Sequence, residues 1–93
     1  MITRKQADEA ARAIKEAYLA AKKLDDEISD EIKNPTMEDD AFDALLEEEE
    51  RALDALAAAI HRAARGAITE KQADDAARFG FDRIGALVAR LAA

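Results

Sequence analysis

His61 is the only histidine in the chain, and imidazole is the side chain that ordinarily titrates near neutral pH. Its neighbours at helical spacing are Ala57, Ala58, Ala64 and Arg65, none of which orients an imidazole or shares a metal with it. A half-exposed helix position is the expectation. Ser29 lies among Asp25, Asp26, Asp30 and Glu31, and that negative surround raises the cost of an alkoxide. Gly66, Gly80 and Gly85 do not follow a strand, so they do not make a phosphate-cradling loop. Carboxylates are plentiful, in Asp25-Asp26-Glu27, Glu38-Asp39-Asp40 and Glu47-Glu48-Glu49-Glu50. A bundle di-metal site needs Glu-x-x-His pairs, and an EF-hand needs alternating Asp or Asn around a central glycine. Neither pattern occurs. With no cysteine there is neither a thiolate metal site nor a disulfide. A non-enzymatic chain with no metal and no cofactor is therefore expected.

The carboxylates matter more as a charge distribution. Residues 25–54 hold 14 acidic and two basic side chains, whereas the flanking segments are both net basic, within a total of −7. So strong an acidic segment argues against direct binding to nucleic acid. It suits docking against a basic protein surface, with Asp25, Asp26, Asp30, Glu38, Asp39, Asp40, Asp43, Glu47 and Glu50 as the candidate contact residues. The alternative is a solvated face with no partner.

Helices must position these groups. Thr3 and Gln6 make a capping box, and Ile2 with Ala7 is placed as a hydrophobic staple. The stripe Ala7, Ala10, Ile14, Ala17, Ala21, Leu24 and Ile28 continues a first helix to Asn34-Pro35, where proline disfavours helix in the preceding residue. Thr36 is positioned to cap a second helix with the stripe Phe42, Leu46, Glu49, Leu53, Leu56, Ile60 and Ala63, stopped by Gly66. Glu49 stands in that stripe where an apolar residue is expected. A third helix opens at Thr69. Its start, 68–78, matches 2–12 at nine of eleven positions. The match reads either as a partial duplication or as one capping logic used twice.

The expected architecture is all-α, a single domain over 1–93 with helices near 4–33, 37–65 and 70–91. Short connections make it an up-down-up antiparallel bundle, or an extended helical hairpin plus a third helix. The core is thin. Alanine supplies 24 of the apolar residues and leaves only 22 larger ones, so self-association as a homo-oligomer is expected to add burial.

Two features of the third helix break local rules. Phe79 projects onto its polar side near Arg83 and Arg90, and Gly80 and Gly85 stand inside a helix where each costs about 1 kcal/mol. Close approach of another helix, or a bend, would account for the glycines. Arg78, Phe79, Arg83 and Arg90 are therefore the candidate oligomer or ligand interface.

Three functional readings follow. The first is a protein-binding module whose acidic hairpin docks on a basic partner, in the manner of phage or mobile-element inhibitors and nucleic-acid mimics. The second is an oligomer that sequesters a small anionic, nucleotide-like ligand through its Phe and Arg positions. The third is a structural adaptor or chaperone. No apolar run reaches the 18 or more residues of a membrane span, and no leader precedes the first helix, so a cytoplasmic protein is expected.

Overall fold

The computed structural model describes residues 3–92, with side chains described as far as Ala86. Four helices follow one another: α1 Arg4–Lys33, α2 Asp39–Ala64, α3 Glu70–Phe79 and α4 Phe81–Ala92. The protein is all-α among the described residues. α1 packs along α2, α2 along α3, and α4 returns to both α1 and α3. The result is elongated, about 50 × 29 × 18 Å.

Local sequence explains most of the helix ends. Thr3 accepts from the Gln6 backbone N–H while the Gln6 side chain accepts from the Thr3 N–H, and Thr69 with Gln72 repeats the arrangement. Two orphan donors are satisfied at each start. The Ile2–Ala7 staple involves Ile2, which lies outside the described residues. α2 ends where Arg65 turns left-handed at φ 53°, followed by Gly66 at φ 87°. Glycine adopts that region without the Cβ penalty, which suits it to follow a helix C-terminus.

The third expected helix, 70–91, is two helices. At Gly80 the backbone leaves the α region, with φ −103° and ψ 19°, and the i→i+4 ladder then resumes through Ile84 N–H to the Gly80 carbonyl. A Cβ at Gly80 would stand 2.9 Å from the Ala76 carbonyl oxygen, so the break requires the missing side chain. Gly85 serves a different purpose. Its Cα faces the hydroxyl end of Tyr18, and a Cβ would come within 2.9 Å of Tyr18 Cζ. Bend and close approach both occur, one at each glycine.

The core lies where the helices converge. Leu56, Ala57, Ala77, Ile84 and Tyr18 are buried together, with Ile14, Ala17, Ile60 and Phe81 packed around them. The Tyr18 and Phe81 rings stand 4.7 Å apart, tilted by 33°, an aromatic contact at favourable separation. Ala73 and Ala77 are 1% and 0% exposed, so alanine lets α3 come close to its neighbours. Near the hairpin end the buried residue of α2 is Leu45, and the stripe residue Leu46 is left 40% exposed. Strict four-and-three spacing placed Leu46 inward, but α2 turns its neighbouring face to α1 there.

Candidate functional site

Most of the acidic residues lie near the connection between α1 and α2, while Asp25 and Glu50 stand farther along the two helices beside Arg78. That connection is closed by Glu31, a residue that spacing alone does not single out. Its carboxylate accepts hydrogen bonds from the Thr36 N–H, from the Thr36 hydroxyl at 2.9 Å and from the Met37 N–H. Thr36 is thereby used as a donor to α1 and does not cap α2. The second helix starts at Asp39, two residues later than expected, and Glu38 at its N-cap makes no side-chain cap bond. Asp39 and Asp40 in the first turn of α2 meet the positive end of the helix dipole. The Met37 N–H holds the Glu31 carboxyl below its ordinary value, with the Thr36 bonds helping and burial opposing.

Asp25, Asp26, Asp30, Glu38, Asp39, Asp40, Asp43, Glu47 and Glu50 are all exposed. Asp26 pairs with Lys22 at 3.4 Å, and Glu50 pairs with Arg78 at 2.9 Å. The other seven form no ion pair among the described residues. Apolar surface lies inside this rim. Ile32 is 68% and Met37 42% exposed. A cleft of about 210 Å³ is lined by Glu31, Ile32, Pro35, Met37, Asp39 and Phe42.

Higher on the hairpin, Glu49 stands half-buried in the seam. Burial pushes its carboxyl up, and the negative charge and hydrogen bonding of Asp25 push further, against the opposing pull of Arg78. Asp25, Glu49 and Arg78 share a small cleft with Ala21, Leu53 and Phe81.

Arg78 is not beside Phe79 on an open face. Its Nε donates to Asp74 at 3.0 Å, its Nη1 to Glu50 at 3.0 Å and its Nη2 to Asp54 at 2.7 Å. Burial works against its charge, but the bonds to Asp74 and Glu50 outweigh it and hold the guanidinium above its ordinary value. The residue ties α3 to α2 and is spent within the chain. Phe79, in contrast, is 85% exposed and shares a cleft with Asp75, Ala76, Gly80, Arg83 and Ile84. The Arg90 side chain lies outside the described residues.

His61 is half-buried, in a cleft between α2 and α3. Asp54, Glu70 and Asp74 line the same cleft of about 500 Å³. The carboxylates at 70 and 74 come from another helix, so local spacing did not reveal them. Among the described residues no cluster of three or more His, Cys, Asp or Glu is arranged to hold a metal ion, and no helix is long and apolar enough to cross a membrane. No protein-family model, curated protein or solved structure matches the chain.

Proposed function

We propose that this chain is a non-enzymatic protein-binding module whose acidic helical hairpin docks on a basic surface of another protein. One observation carries the reading: nine exposed carboxylates stand on the hairpin half of α1 and α2, most of them near its connection, and seven have no ion pair among the described residues. Like charges at helical spacing repel by a few tenths of a kcal/mol per pair, so the cluster works mildly against the fold. The same charge spread over the surface would serve solubility equally. Concentrated charge speeds encounter with a surface of opposite sign and rejects acidic ones. The exposed Ile32 and Met37 inside the rim supply apolar area that the charges alone lack. An inhibitor or nucleic-acid mimic fits this description. The engagement of Arg78 within the chain weighs against sequestration of an anion at that residue.

The test is the triple variant Asp39→Asn, Asp40→Asn, Asp43→Asn. Basic proteins retained from a lysate by the wild-type chain should elute as salt rises, since exposed charges are screened beyond about 10 Å at 0.1 M. The triple variant should retain none of them while keeping its helicity and its melting temperature. Identical capture by both chains, with identical salt profiles, would overturn the reading.

A further inference from the structure

We propose that the α3–α4 face is a two-fold interface between two copies of this chain, with Phe79 of each copy seated in the other's cleft and Asp75 facing the partner's Arg83. Phe79 is 85% exposed, more than any other large apolar residue described. It lies at the break, between Asp75 four residues before and Arg83 four residues after. The hydrogen bonds Gly80 N–H to Ala76 and Ile84 N–H to Gly80, both 3.0 Å, end α3 and open α4 on either side of the break. Asp75, Phe79 and Arg83 line one shallow cleft of about 540 Å³, together with Ala76, Gly80 and Ile84. Gly80 lines it with backbone alone, since a Cβ there would meet the Ala76 carbonyl.

The placement of charge selects the occupant. In an isologous contact, a residue that meets a second residue on the partner is met in return. An opposite pair on either side of an aromatic residue is self-complementary in this sense. When two copies cross with α3–α4 reversed, each Asp75 meets the partner's Arg83 and the two Phe79 rings enter the clefts on either side of the axis. A uniformly basic partner would meet Arg83, and a uniformly acidic one would meet Asp75, each a like-charge contact. Arg83 forms no ion pair among the described residues, and Asp75 has only the exposed Lys71 at 3.4 Å. Both are available. The contact uses residues apart from the acidic hairpin tip and stands independently of what that tip binds.

Sedimentation equilibrium of the full chain over a range of micromolar concentrations tests the proposal. The wild type should associate to a dimer and no further. Phe79→Asp should remain monomeric at the same concentrations with unchanged helical circular dichroism. Asp75→Arg and Arg83→Glu should each weaken the dimer by about tenfold or more, which corresponds to roughly 1.4 kcal/mol. The double variant Asp75→Arg, Arg83→Glu should recover most of that loss, because the swap restores opposite charges across the axis. A wild type monomeric at high micromolar concentration overturns the interface. So does a dimer indifferent to Phe79→Asp. Failure of the double variant to recover the dimer overturns the Asp75–Arg83 pairing.

Discussion

The starts of α1 and α3 carry nearly the same eleven residues and are treated very differently by the fold. Their capping boxes are alike, Thr3 with Gln6 and Thr69 with Gln72. Beyond the caps they diverge. Ala7 is exposed and Ala11 half-buried, whereas the equivalent Ala73 and Ala77 are sealed in the core. Arg12 is exposed and forms no ion pair among the described residues, while Arg78 holds Asp74, Glu50 and Asp54. Even the shared Asp-x-x-x-Arg spacing closes only in α3, where the carboxylates of α2 fix the guanidinium in place. Cap geometry is a local property of three or four residues. Burial and ion pairing belong to whatever helix lies opposite.

Equivalent substitutions at the two starts should therefore have unequal effects. The largest difference is expected for leucine at the alanine positions. Ala77→Leu overpacks a site with 0% exposure and should cost about 1–3 kcal/mol, whereas Ala11→Leu should stay within about 0.5 kcal/mol. Thermal unfolding of both variants measures this directly, and equal losses would erase the distinction. The arginines come next. Arg78→Ala should cost about 1 kcal/mol, since its partners remain largely hydrated, and Arg12→Ala close to nothing. Double-mutant cycles with Glu50 and Asp54 would apportion the loss.

The smallest effect sharpens the account of Arg78 through its neighbour. Glu49 has a folded-state pKa raised by burial and by Asp25. Its ionised form is therefore a cost to the folded state, fully present above the folded pKa. That cost shrinks as pH falls and is gone below the ordinary glutamate value of the unfolded chain. Glu49→Gln should accordingly raise the melting temperature slightly at pH 7 and change it little at pH 4. A destabilising effect at pH 7 would contradict the assignment. Glu31 runs the other way: its lowered pKa stabilises the fold at neutral pH, and that contribution is lost as pH falls through the folded pKa.

Much of this fold is legible in the chain because its signals are short-range. The capping boxes at Thr3 and Thr69, the end of α1 before Pro35 and the stop at Gly66 each depend on a few consecutive residues. The exposed acidic cluster and the isolation of Phe79 also follow from helical spacing. What escapes such reading is long-range or competitive. Thr36 had two uses, and the reach of Glu31 across the connection decided between them. The break at Gly80 is a choice between a tolerated glycine and a helix end, which the local sequence alone leaves open. Glu50 and Asp54 reach Arg78 from α2, and Glu70 and Asp74 reach the cleft of His61 from α3, so no window along one helix contains them.

The contact of Tyr18 with Phe81 and Gly85 also has a kinetic consequence. α1 with α2 and α2 with α3 are partners adjacent along the chain, so each forms by closing a short loop. Docking α4 onto α1 joins residues from opposite ends of the chain, and closing so long a loop carries the larger entropic cost. Where α4 docks after the rate-limiting step, weakening this contact acts mainly on escape from the native state. Removing the ring with Phe81→Leu should speed unfolding and leave the refolding limb of a chevron almost where it was. The aromatic pair would thus work as a latch on the lifetime of the folded chain, with little say in how fast it folds.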